Sequence, residues 1–243
     1  MGSRHIPRKA RARAKRGLSP KKDSSKFLLY AAYTITVFLF LFIVATLLIY
    51  NSVPVSKQPD LEAYSSIALS FLLSFFVLSY MLHKGKTLKM IIKDLKLSKD
   101  RLTLKFVLIG VGVFFVIVLF SLALTAFSTV TNVQLPTNVQ QVLAGTPLYF
   151  LIFTFLIAPI NEEIFFRGFL VPRLGIIISA VLFAIVHLSY LSVSEFLAAF
   201  VFGLIAGYVY KKTQSLYPSI VAHMIVNFIT ITSLISIGMF VHF

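Results

Sequence analysis

Apolar positions along this chain come in long unbroken blocks, without the alternation of a half-buried strand or the stripe of a surface helix. Phe27–Tyr50 is uncharged throughout, longer than the ~20 helical residues that cross a hydrocarbon core. Tyr64–Leu82 and Phe106–Val130 are two further blocks of that kind. Four more follow at Leu148–Leu170, Ile176–Ser189, Glu195–Tyr210 and Pro218–Phe240, shorter and interrupted by polar residues. The pattern predicts an all-α fold: a polytopic transmembrane helical bundle of about seven spans. The fifth block is short enough to be tilted or partly re-entrant. No internal repeat is visible.

The connections are polar. Residues 1–26 read as a disordered basic tail, and Asn51–Ala63, with two prolines, as a loop. His83–Lys105 is a basic connection with an amphipathic interfacial helix expected around Leu88–Leu97. Thr131–Pro147 is an uncharged polar loop. This divides the chain into a tail at 1–26, N-terminal transmembrane helices at 27–145, and a membrane domain at 146–243.

Composition agrees with a bilayer rather than an aqueous core: 58% of the 243 residues are apolar and only 13% charged, against about a quarter in soluble domains. Cysteine is absent, which excludes disulfides, thiolate metal sites and cysteine nucleophiles. The net charge of +15 is concentrated, with ten Lys/Arg before residue 27 and eight between Lys84 and Lys105. Attraction of the tail to anionic headgroups, about 1 kcal/mol per basic residue, accounts for it better than nucleic acid. A cleaved signal peptide fits poorly, because the apolar run that follows is too long. With the N-terminus in the cytoplasm, every even connection is basic and the odd ones hold a single basic residue, Lys57. That bias orients the bundle, with the C-terminus outside.

Of eight acidic residues, Glu162 and Glu163 alone fall well inside a span; Glu195 reads as a helix edge. A charge at a helix centre costs roughly 2.5–3.5 kcal/mol on insertion scales, so such residues face a partner or a wet cavity. Arg167 is one turn beyond Glu163 and can pair with it, as a structural clamp or as part of a site. Glu162, rotated by about 100°, is left for another helix. Pro159 removes a backbone donor just before the pair and can kink the span. Phe183 and His187 are one turn apart on the fifth span, and His223 and Asn227 one turn apart on the seventh. Counted from Arg173, Gly175 and Lys212 at 1.5 Å per residue, Glu162, His187 and His223 all lie roughly 15 Å deep. Gly203 and Gly207 form a GxxxG pattern on the sixth span, which permits close helix approach. Taken singly, each of these residues also has a purely packing role; their common depth is the informative part.

In this order, Glu162-Glu163-Ile-Phe-Phe-Arg167, Phe183…His187 and His223…Asn227 resemble the EExxxR, FxxxH and HxxxN motifs of the CAAX prenyl-protease and bacteriocin-processing (Abi) family, which includes the Ras-converting enzyme. The likeness covers residues 146–240; the first three spans rest on hydropathy alone. It implies an intramembrane endopeptidase in which Glu162, assisted by His187, activates a water while His223 and Asn227 donate to the oxyanion. Glu163 and Arg167 would hold the helix and tune the field, and Phe183 would wall the cavity. No cofactor is required by that scheme. The alternative is a zinc held by Glu162, His187 and His223, although an HExxH helix is missing and amides such as Asn227 are uncommon zinc ligands. The implied partners are membrane lipids and a membrane-associated peptide or protein, a prenylated CaaX tail in eukaryotic members. The same motifs also accompany non-catalytic scaffold and bacteriocin-immunity roles. A proton- or ion-coupled transporter is a third class, disfavoured by the lack of repeats.

Overall fold

A computed structural model describes residues 20–54, 57–133, 146–190 and 192–236. The fold is all-α, with no strand among the described residues. Helices α1 (Pro20–Ile49), α2 (Gln58–His83), the short α3 (Leu88–Asp94) and α4 (Leu104–Thr131) form the N-terminal part. Helices α5 (Leu148–Leu156) and α6 (Ala158–Glu163), a π-helical turn at Ile164–Leu170, and α7 (Val171–Val186) then run on as one helical segment. A 3-10 turn at His187–Tyr190, α8 (Val193–Thr213) and α9 (Tyr217–Ser236) complete the chain.

Five helical segments are long and apolar enough to cross a membrane: Lys26–Ser52, Gln58–His83, Leu104–Thr131, Leu148–Val186 and Val193–Thr213. The fourth has 39 residues, about 58 Å of helix and twice the ~30 Å hydrocarbon thickness. It therefore has to turn back, and Gly175 supplies the turn, with φ 86° and ψ 173°. An L side chain rarely tolerates that conformation, which is why glycine stands there. The segment thus holds the fourth and fifth expected blocks, and α9 covers most of the seventh. Its first half is also broken, at Ile157, two residues before Pro159.

Two expectations shift. Helix α1 begins at Pro20, inside the expected tail, while residues 1–19 lie outside the described residues. The interfacial helix stops at Asp94, because Lys96 adopts a left-handed backbone, φ 60°. Most of the Thr131–Pro147 loop, residues 134–145, also lies outside the description, as does His242.

Helix α1 packs along α2 through Thr36 and Ser79, whose hydroxyls are 3.0 Å apart, and through Ser65 donating to Thr46 at 2.9 Å. Helix α8 lies against α7 as the GxxxG pattern predicts. A Cβ on Gly203 would stand 2.8 Å from Ala180 Cα, and one on Gly207 2.9 Å from Ile176 Cγ2. Helix α4 meets α9 as closely, since a Cβ on Gly110 would fall 2.6 Å from the Pro218 carbonyl oxygen. Elsewhere α4 exposes Leu108, Phe115, Leu119 and Leu122, as a lipid-facing helix does. At one end of the bundle the connection before α4 and the one between α8 and α9 lock together. Arg101 donates to the Gln214 carbonyl, the Tyr217 hydroxyl to the Leu97 carbonyl at 3.0 Å, and the Leu216 N–H to the Lys96 carbonyl at 3.4 Å.

Candidate active site

Helix α6 and the π-helical turn carry the paired carboxylates and the arginine. Asn161, just before the pair, anchors them: its amide donates to Ser70 Oγ at 3.1 Å and its carbonyl oxygen accepts from Ser74 Oγ at 2.8 Å. Both serines sit on α2, one turn apart, so this polar ladder fixes the rotation of α6 against the N-terminal helices. The π-helical winding begins at the residue after Glu163, and such widened turns recur at functional sites.

Glu163 and Arg167 are fully buried, and Arg167 Nη1 lies 3.0 Å from Glu163 Oε1. The approach is an ion pair in distance, but the guanidinium nitrogens make no well-aligned hydrogen bond among the described residues. Aromatic faces take up the rest of the cation. Its Cζ is 4.2 Å from the Phe183 ring centroid and 5.0 Å from that of Phe202, and a desolvated contact of this kind is worth about 2 kcal/mol. Glu163 Oε1 also takes a 3.1 Å contact from His223 Nδ1 on α9. That carboxylate is thus held by a guanidinium and an imidazole at once.

Glu162 points elsewhere. Its Oε2 is 3.9 Å from His223 Nε2, and the residue lines a cavity of about 180 Å³. Phe183, His187, His223 and Asn227 line the same cavity. The rings of Phe183 and His187 are 4.5 Å apart, and His187 Nδ1 lies 2.8 Å from the Phe183 carbonyl oxygen. A carbonyl can only accept, so Nδ1 carries the proton and Nε2 is the acceptor of a neutral His187. Asn227 donates one amide hydrogen to the Thr154 carbonyl at 2.9 Å. Its other hydrogen remains a donor.

The seven residues singled out from the motifs therefore converge, from α6, the π-helical turn, α7 with its 3-10 end, and α9. Residues 144–229 match the family model described as type II CAAX prenyl endopeptidase Rce1-like. That likeness spans about a third of the chain. No curated protein matches the chain, and no solved structure does. The five long apolar helices, with this likeness, make the chain an integral membrane protein.

Within the matched residues the structure adds side chains that the sequence did not single out. Glu195 lines the cavity although it sits in the first turn of α8. Ser192 caps that helix by accepting from the Glu195 N–H at 3.1 Å, and the Ser-x-x-Glu spacing was its available signal. Phe202 packs against both Arg167 and His223, its ring 5.1 Å from the imidazole. Nothing but its place beside Gly203 marked it. The bond between His223 and Glu163 is a cross-helix contact that no local spacing predicts.

A zinc held by Glu162, His187 and His223 is poorly matched by this arrangement. Among the described residues, no three His, Asp or Glu side chains come together in a way that could hold a metal ion.

Proposed function

We propose that the chain is an intramembrane endopeptidase that cleaves a peptide bond of a membrane-associated substrate with a water activated by Glu162. The observation that carries this reading is the division between the adjacent carboxylates: Glu163 is locked by Arg167 and His223, while Glu162 faces a cavity lined by His187 and Asn227. In the proposed reaction Glu162 takes a proton from water and the hydroxide adds to the scissile carbonyl. The oxyanion accepts hydrogen bonds from Asn227 and from His223 in its protonated form. A preorganised donor of this kind contributes about 2.7–4 kcal/mol. Collapse of the tetrahedral intermediate passes the proton held by Glu162 to the leaving amine. His187, with Nε2 as acceptor, assists in positioning the water.

The two basic connections that lock together define the end of the bundle that we propose faces the cytoplasm, in keeping with the positive-inside bias. A prenylated C-terminal tail is the substrate class suggested by the family's description. The full chain, reconstituted with a prenylated CaaX peptide, provides the test. Glu162→Gln and His187→Ala should each lower turnover by about 10²–10⁴-fold, the range for removing a general base, while the protein still inserts and unfolds cooperatively. Full activity in both variants would refute the assignment. A wild-type protein with no turnover on prenylated or unprenylated membrane peptides would favour a non-catalytic role for the same cluster.

A further inference from the structure

The second large cavity lies at the end of the bundle where the basic connections meet, and it shares no lining residue with the first. It encloses about 640 Å³. Lys86, Lys96, Arg173 and Lys211 come to it from three separate connections, together with Asp94 and the buried Tyr210. Asp94 pairs with Lys86. Among the described residues, Lys96, Arg173 and Lys211 have no acidic partner, so the cleft holds three uncompensated cations.

Two of these side chains are presented in a deliberate way. Arg173 lies 3.9 Å over the Phe169 ring and donates through Nη1 to the Phe169 carbonyl at 2.7 Å, which leaves other guanidinium N–H groups for a ligand. Lys96 sits at φ 60°, a conformation usually left to glycine or asparagine. Its carbonyl accepts from the Leu216 N–H, which ties this residue to the connection between α8 and α9.

The depth of the cleft is set by α3. Ile91 and Leu95 turn inward, while Leu88, Met90 and Ile92 stay exposed beside Lys89 and Lys93. A short helix with apolar and basic residues both outward belongs at the membrane interface. A cleft flanked by it therefore opens at headgroup level, where basic pockets between transmembrane helices take lipid phosphates.

We propose that this cleft binds the phosphate headgroup of one anionic phospholipid, between Lys96, Arg173 and Lys211. The site is independent of the peptidase reading. Phosphatidylglycerol is titrated against phosphatidylcholine on the detergent-solubilised full chain, and bound lipid is counted by native mass spectrometry. One tight phosphatidylglycerol per chain is expected. At about 1 kcal/mol per charge, Lys96→Gln or Lys211→Gln should each weaken it roughly fivefold, and the triple variant with Arg173→Gln on the order of a hundredfold. Lys89→Gln/Lys93→Gln/Lys105→Gln removes the same charge outside the cleft and should change binding less than about threefold. Equal losses in the two triple variants would overturn the proposal in favour of diffuse attraction. Displacement of the lipid by millimolar inorganic phosphate would overturn it in favour of a free-phosphate site. If the cleft triple variant does not fold, the two single variants carry the same comparison.

Discussion

Replacing Arg167 by Met tests whether the buried pair is what holds the site helix in place. The substitution keeps an unbranched side chain but removes the cation from a fully buried position 3.0 Å from Glu163 Oε1. It also withdraws the group packed on Phe183 and Phe202. Removing one partner of a buried ion pair costs about 3–5 kcal/mol, because the other charge is left uncompensated. His223 Nδ1 still reaches the same carboxylate oxygen, so the loss should fall toward the lower end, about 3 kcal/mol. Glu163→Gln/Arg167→Met removes both charges and should recover much of this, since an apolar replacement of a whole buried pair is often nearly neutral. Equilibrium unfolding of the full chain in mixed micelles, run on wild type, both single variants and the double, gives the coupling directly. We expect a coupling above roughly 1.5 kcal/mol, within the range for residues in one ionic network. A value below about 0.5 kcal/mol, where independent sites lie, would show that the pair is incidental and that aromatic packing alone fixes Arg167.

Gly203→Leu should force α8 away from α7, because the new Cβ would stand 2.8 Å from Ala180 Cα. We expect a loss of about 1–3 kcal/mol in the same unfolding assay, and an unchanged midpoint would contradict the helix contact. Asn161→Leu strands the hydroxyls of Ser70 and Ser74. It should cost about 0.6–1.7 kcal/mol, the range of interhelical hydrogen bonds in membranes, and adding Ser70→Ala and Ser74→Ala should restore part of that. Turnover of the reconstituted protein should be unaffected by dialysis against a strong chelator. Loss of activity that zinc restores would refute the metal-free scheme.

The spans and the site residues were legible for one reason: charge in a bilayer is expensive, so Glu162, Glu163 and Arg167 stand out against an apolar background. The turn at Gly175 was legible too, since Arg173 and Gly175 interrupt the block at the depth where a headgroup region is needed. What escaped was whatever depends on azimuth between helices. Glu195 is three residues from a cap and looks like an ordinary first-turn acid, yet the rotation of α8 turns it to the cavity. Phe202 has no motif around it and is marked only by facing Arg167 and His223, as Phe183 also does. The end of the interfacial helix was missed where the backbone turns left-handed at Lys96, whereas the break at Ile157 lies beside the Pro159 expected to kink the span.

Two glutamates one residue apart are chemically identical until their neighbours differ, and here a single histidine makes the difference. His223 Nδ1 lies 3.1 Å from Glu163 Oε1, so it is a donor to a carboxylate that Arg167 already keeps company. In a neutral ring Nε2 is then an acceptor, and only the protonated ring donates from both nitrogens. That Nε2 is 3.9 Å from Glu162 Oε2, too far for a direct hydrogen bond and near enough for one intervening water. In the proposed mechanism the proton taken from water by Glu162 and the donor needed by the oxyanion therefore belong to one coupled unit, Glu162 with His223. Asn227 needs no such coupling, because its amide hydrogen is present whatever the protonation of its neighbours. It follows that Asn227→Ala should lower turnover by about 10²–10³-fold without changing the shape of the pH–rate profile. His223→Gln, which keeps a single donor in place of the two ring nitrogens, should lower turnover by a similar ~10²–10³-fold. Full turnover in the Asn227 variant would take that side chain out of the oxyanion site, and full turnover in the His223 variant would do the same for the imidazole.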